Sequence, residues 1–312
     1  MTSSVSISAI IPVTDDYDDV ATLYADYKRG LERCGKSFEV IYVLDGPYAN
    51  ILETLKCLKG RGEPIKIICF ARSFGESGAL RAGGDQAKGD IIVTLPAYQQ
   101  VSSDAIKSLV EALDTCDMAT ARRTERKDPG LKIMQSKLFH TILRRLLDSS
   151  FHDLGCSARA VRRDVFAQLR VYGDQHRFLP LIAERQGFRV EEVDAPQEKL
   201  TGYRKAYFPL GVYIRRLLDI LSIYFLLRFT YKPLRFFGLI GVALSALGVL
   251  VLAYIIVERL LFAVTLGDRP LLLLSSLLIV LGIQIIGVGL IGEIITFSSA
   301  EEMKEYRIEK II

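Results

Sequence analysis

Three short stretches hold the residues best suited to chemistry: Pro12 to Asp16, Asp45-Gly46, and Leu95 to Gln100. Each follows a run of β-branched and apolar residues. Ser6 to Val13 reads Ser-Ile-Ser-Ala-Ile-Ile-Pro-Val, Phe38 to Val43 precedes Asp45, and Asp90-Ile91-Ile92-Val93-Thr94 precedes Leu95. The last of these is a buried strand that runs out at Pro96, a residue unable to donate to a ladder. In open α/β sheets the carboxyl ends of the strands are where ligands bind. An Asp there accepts hydrogen bonds from a base N–H or a ribose hydroxyl. Asp45-Gly46 alone is also an ordinary turn pair. Its company with Asp15 and Asp16 favours the ligand reading. Beyond Pro96 the chain turns small and polar (Gln99, Gln100, Ser102, Ser103, Asp104), which suits the floor of a site, and Ser103 or Asp104 can cap a helix starting near Ala105.

Regular alternation of strands and helices must position these loops. Asp18-Asp19 bias the start of a helix that continues through Arg33. A helix to about Leu58 follows the second strand, a strand spans Ile65 to Phe70, and Arg72-Ser73-Phe74-Gly75 opens a helix through Ala87. This order predicts an α/β domain with a doubly wound, mostly parallel sheet. Right-handed crossovers then bring the three loops to one edge.

The chain changes character toward its end. Phe236 to Val257 and Pro270 to Gly292 are uncharged apolar runs. Each reaches the roughly 20 residues that cross a ~30 Å hydrocarbon core. They predict two transmembrane helices, about 236–257 and 270–292, within a region 233–312. The domain 1–207 precedes them. Between lies 208–232, where Leu210, Tyr213, Leu217, Leu221 and Phe225 alternate with Arg215, Arg216, Asp219 and Arg228, an amphipathic pattern suited to the membrane interface or to packing on the domain. Basic residues flank both runs (Arg228, Lys232, Arg235; Lys304, Arg307, Lys310), which predicts an integral membrane protein with catalytic domain and both termini cytoplasmic. The N-terminal residues form no basic or apolar leader. The spans carry glycines (Gly238, Gly241, Gly248; Gly282, Gly287, Gly289) that suit a hairpin or a homo-oligomer alike.

The net charge of +4 suits contact with anionic membrane lipids better than nucleic-acid binding. Five cysteines show no metal spacing, and a cytoplasmic domain keeps them reduced.

These pieces, in this order, resemble a family. Ile11-Pro12-Val13 with Asp15-Asp16, Val43-Leu44-Asp45-Gly46 and Arg72-Ser73-Phe74-Gly75 resemble the family-2 glycosyltransferases. Further pieces narrow this to the polyisoprenyl-phosphate, dolichyl-phosphate-mannose-synthase-like group. They are the basic loop Arg122 to Asp128, Asp153-Leu154-Gly155-Cys156-Ser157-Ala158-Arg159, His176-Arg177-Phe178-Leu179-Pro180, Thr201 to Lys205 and Tyr231 to Arg235. The resemblance implies a GT-A fold, a nucleotide sugar donor, and a membrane-bound polyprenyl phosphate whose oxygen displaces the nucleotide diphosphate from the anomeric carbon. It assigns Pro12, Val13, Asp16 and Asp45 to nucleotide binding. It assigns Asp153, Arg122 and Arg126 to the reaction zone, with Arg123, Lys127, Arg204 and Lys205 on phosphate. Asp153 would position the acceptor, or take a proton from a hydroxyl.

The resemblance also implies Mg²⁺ or Mn²⁺ held by an Asp-x-Asp motif. Here Leu95-Pro96-Ala97 stands in its place, and neither Leu95 nor Ala97 offers a side-chain oxygen. Leu44 replaces the first Asp of the usual Asp-Asp-Gly-Ser, and Glu76 stands where a Lys is frequent. Glu76, Asp85 or Asp90 are the acids near enough in sequence to substitute as ligands. Two readings follow. One is a transferase whose Arg and Lys residues do a metal's work at the phosphoryl oxygens. The other is a silent homologue that binds a lipid phosphate or a partner.

Overall fold

The computed structural model describes residues 5–16, 19–124, 151–169, 175–197, 233–262 and 270–298. The chain divides into two compact units, Met1–Ile223 and Tyr224–Ile312.

In the first unit, β1 (Ile7–Val13), β2 (Phe38–Leu44), β3 (Ile65–Cys69) and β4 (Ile91–Thr94) run parallel in the order β3-β2-β1-β4. They alternate with α1 (Val20–Glu32), α2 (Ala49–Gly60) and α3 (Gly75–Gln86); α4 (Ala105–Ala112) follows β4. The sheet continues through β5 (Met118–Thr124), β6 (Arg159–Arg162) and β7 (Val190–Pro196) to the full order β3-β2-β1-β4-β6-β5-β7. Strand β6 alone runs against its neighbours. A short helix α5 (Arg163–Gln168), a 3₁₀ turn (Gln175–Phe178) and α6 (Leu179–Arg185) join β6 to β7. The expected mostly parallel sheet is present.

All seven residues of β1 are buried, as a strand covered on both faces requires. Ile7, Ala9, Ile11 and Val13 share one core cluster with Val20, Leu23, Tyr27 and Leu31 of α1 and Leu109 of α4. Ile10 points the other way, toward Gly83 of α3. The alternation is the period of a pleated strand. Asp19 caps α1, its Oδ1 accepting from Thr22 N at 3.0 Å. The cap expected from Ser103 or Asp104 does not form. Asp104 already has helical backbone angles and no side-chain cap, and its carboxylate pairs instead with Arg33, the residue that follows α1.

The second unit contains α7 (Pro233–Phe262) and α8 (Pro270–Ser298), both long and apolar enough to cross a membrane. The amphipathic stretch 208–232 lies outside the described residues. The two helices pack through glycine. A Cβ on Gly241 would sit 2.5 Å from the Gly282 carbonyl oxygen, and one on Gly282 would sit 2.5 Å from the Gly241 oxygen. Only a missing side chain allows that approach. At the far end of α8, Glu293 Oε2 accepts from Leu234 N at 3.2 Å, satisfying a free N–H in the first turn of α7.

Gly287 faces open space, with nothing within 4 Å of an added Cβ. Gly282→Ile therefore destabilises the helix pair by about 1–3 kcal/mol, whereas Gly287→Ile leaves it near wild type. Reversible unfolding of the full chain in mixed micelles checks this, and equal effects of the two substitutions would contradict the packing.

Candidate active site

The carboxyl ends of β1, β2, β3 and β4 share one edge, and the residues that precede β6 come to the same edge because that strand is reversed.

At the β2 end, Asp45 is 3% exposed. Its Oδ2 accepts from Ser73 Oγ at 2.7 Å and Gly75 N at 2.9 Å, and its Oδ1 from Phe74 N at 2.6 Å. Asp45 N donates to Val13 O at 2.9 Å, so the β1 and β2 ends are tied together. Pro12 and Val13 are buried, while Asp15 and Asp16 are exposed. Tyr48 stands among these acids. Burial, and then the charges of Asp15, Asp45 and Asp16, push its phenol pKa up. No motif marks Tyr48, although its ring packs over Gly46, where an added Cβ would lie 3.0 Å from it.

At the β4 end, Leu95 is 1% exposed and Ala97 5%, both within the core cluster. The loop is braced from below. Tyr27 Oη of α1 donates to Pro96 O at 2.9 Å and lies 3.3 Å from Tyr98 O. Burial first, then neighbouring phenols and the Cys156 thiol, hold the Tyr27 pKa well above its usual value, so it stays a donor. Gln100 reaches back with Oε1 to Ser157 N at 2.9 Å, and Thr94 Oγ1 donates to Ser157 O at 2.8 Å.

Before β6, Asp153 is 1% exposed and holds Arg123 in a fork, Nε to Oδ2 at 2.7 Å and Nη2 to Oδ1 at 2.9 Å. The same oxygens accept Arg123 N and Gly155 N, each at 3.1 Å. A Cβ at Gly155 would lie 2.9 Å from Arg123 Nη2, so the fork needs glycine there. Burial alone would lower the Arg123 pKa, but the Asp153 hydrogen bonds and charge outweigh it and keep the guanidinium charged. Glu192 of β7 holds the Asp153 segment in turn, its Oε1 accepting from His152 N at 2.8 Å and Asp153 N at 3.0 Å. Arg122 points elsewhere, to a surface pair with Asp194 (Nη2 to Oδ2, 2.8 Å). Arg126, Lys127, Arg204 and Lys205 lie outside the described residues.

One cluster was not legible in the sequence. Glu76, in the first turn of α3, places Oε2 at 3.0 Å from His176 Nε2 and Oε1 at 3.4 Å from Ser157 Oγ. Burial pulls its pKa up, but the His176 hydrogen bond and the charges of His176, Arg159 and Arg177 outweigh it and hold the carboxyl below the usual range. Arg159 is fully buried and carries the turn, with Nη1 donating to His176 O at 2.8 Å.

The acids offered by sequence as substitute metal ligands separate here. Asp90 precedes β4 and Asp85 lies in the last turn of α3, so both belong to the opposite sheet edge. Glu76 alone is at the right edge, and it is already paired with His176. Among the described residues, no three His, Cys, Asp or Glu side chains converge to hold a metal. Buried hydrocarbon at Leu95 and Ala97 does not fit a divalent cation at the β4 end.

The family model for glycosyl transferase family 2 matches residues 8–170. Over 316 aligned residues the chain is 27% identical to the dodecaprenyl-phosphate galacturonate synthase of Rhizobium johnstonii, covering 99% of this chain and 93% of that protein. It is 28% identical over 311 residues to the undecaprenyl-phosphate 4-deoxy-4-formamido-L-arabinose transferase of Pseudomonas syringae, covering 98% and 90%. Among solved structures it resembles glucosyl-3-phosphoglycerate synthase from Mycobacterium tuberculosis in complex with Mn²⁺, uridine diphosphate and phosphoglyceric acid. There the TM-score is 0.53 at 16% identity, over 70% of this chain and 78% of that one. The sheet is of the GT-A type.

Arg123→Leu removes the guanidinium from the buried Asp153 carboxylate and lowers stability by about 3–5 kcal/mol. Adding Asp153→Asn removes that charge and restores part of the loss. Thermal melting of the single and double variants checks it. A double variant less stable than Arg123→Leu alone would contradict the pairing.

Proposed function

This chain belongs to glycosyl transferase family 2, and we propose that it moves a sugar from a nucleotide sugar to a polyprenyl phosphate at a membrane. One observation carries the reading. The relatives named for polyprenyl-phosphate sugar transfer match the chain end to end, through the sheet and through both apolar helices. The basic flanks of the helices support a site on the cytoplasmic face.

In the reaction, a phosphate oxygen of the acceptor attacks the anomeric carbon. The bond from that carbon to the diphosphate oxygen breaks, and the electron pair leaves with the nucleoside diphosphate. The acceptor is already an anion, so no strong base is needed. Pro12, Val13, Asp16 and Asp45 frame the nucleoside. Asp45 does so indirectly, by fixing residues 73–75 through its carboxylate. Asp153 acts as a positioning residue that holds Arg123 charged and aimed. Arg123, with Arg126, Lys127, Arg204 and Lys205, supplies the cations that neutralise the phosphates, while Arg122, expected in the reaction zone, is taken up by its surface pair with Asp194. In this reading the β4 end contributes a shaped apolar floor and no ion.

A second reading has its own support. Asp45, Asp153 and Arg159 all do structural work, so a binding scaffold would need them too. Turnover separates the two. Full-length protein in lipid nanodiscs, given short polyprenyl phosphate and a panel of UDP-, GDP- and dTDP-sugars, forms product with at least one donor, and EDTA leaves the rate within about twofold. A rate that falls by about 100-fold in EDTA and returns with Mn²⁺ would overturn the cation-free part. Absence of product with every donor, from folded protein, would favour the scaffold.

A further inference from the structure

Glu76 is a carboxylate in an unexpected place. It stands one residue past the stretch that Asp45 clamps, and it faces the end of β4 through Ser157. In the reading above, with the nucleoside at the β1 and β2 ends, the Glu76 carboxylate lies toward β4, the side left to the donor's sugar.

The cluster around it is built. His176 is 3% exposed and sits behind the carboxylate. His176 N donates to Ser77 Oγ at 3.2 Å and the buried Arg159 holds the His176 carbonyl, which fixes the backbone, while the ring's Nδ1 lies 3.4 Å from the same Ser77 Oγ. Glu76 itself is about a quarter exposed (24%), so its free lone pairs face solvent at the sheet edge. An ionised carboxylate has about four lone-pair sites and accepts only. Two are engaged here, one of them only by the long 3.4 Å contact with Ser157. A phosphate is the wrong neighbour for this group. A hydroxyl or an amine is the right one.

We propose that Glu76 reads the transferred sugar: its carboxylate accepts hydrogen bonds from hydroxyl or amino groups of the donor's sugar ring and disfavours a sugar that carries its own carboxylate. The inference rests on the transferase reading above. His176 and Arg159 are positioning residues behind Glu76.

The test compares donors within one protein, so the fraction folded cancels. Wild-type chain in nanodiscs is given a UDP-hexose and the matching UDP-hexuronate with polyprenyl phosphate, and the ratio of kcat/KM values is taken. Calorimetric binding of the same two donors gives a second ratio that needs no turnover. Wild type favours the neutral sugar in both. Glu76→Gln keeps the shape but removes the charge, and shifts each ratio toward the hexuronate by about 10-fold or more, the size expected for a hydrogen bond to a charged group. If Glu76→Gln does not fold, Glu76→Asp carries the test. Its charge is retained but withdrawn by one methylene, and affinity for the hexose falls about 10-fold. Ratios unchanged within twofold, in a wild type that does transfer sugar, would overturn the role of Glu76 and leave the transferase reading standing. A wild type that neither transfers nor binds any donor would overturn both.

Discussion

The carboxylate of Asp45 is the contact on which the working edge depends. A helix begins with N–H groups that have no partner inside it. Helix α3 begins beside the end of β2, and Asp45 meets two of the N–H groups at its start and the Ser73 hydroxyl with one buried charge. Hydrogen bonds to an ionised acceptor are roughly twice as strong as neutral ones. The clamp fixes where α3 starts, and so where Glu76 stands. Through Asp45 N and Val13 O it also fixes how the β1 and β2 loops lie together. A single side chain thus sets the spacing between the β1 and β2 ends of the edge and the side that faces β4.

Strand β6 explains why residues from the later part of the chain reach that edge. A parallel strand brings its carboxyl end to the edge, but a reversed strand brings its amino end. Asp153 and Ser157 precede β6, and so arrive beside Thr94 and Gln100. Had β6 run with its neighbours, those residues would lie at the other edge, a strand length away.

Much of the frame was legible. The alternation of apolar runs and helices, and the prolines that end two of the runs, led to the mostly parallel sheet. Asp18-Asp19 were legible as the start of a helix because that signal is local, and Asp19 caps it. Asp104 was not, because Arg33, far off in sequence, takes its carboxylate. The site was legible in outline only. Asp45 and Asp153 were found at the right edge, but their partners were not, since the Arg123–Asp153 fork and the Glu76–His176 pair join residues that no spacing rule connects. The reversal of β6 was also invisible. Four residues, Arg159 to Arg162, give too short a pattern to show direction.

Tyr27 has one more consequence. A loop that owes its shape to a bound ion is ordered only when the ion is present, and its ligand affinity then follows the ion's concentration. The loop Leu95 to Gln100 is ordered by a phenol from beneath and by Gln100 and Ser157 from the side, all within one chain. Such a floor is set before any donor arrives. Little conformational freedom is left to lose on binding, so the contacts made there count more fully toward affinity. The floor thus answers to the stability of the fold rather than to the composition of the surrounding solution.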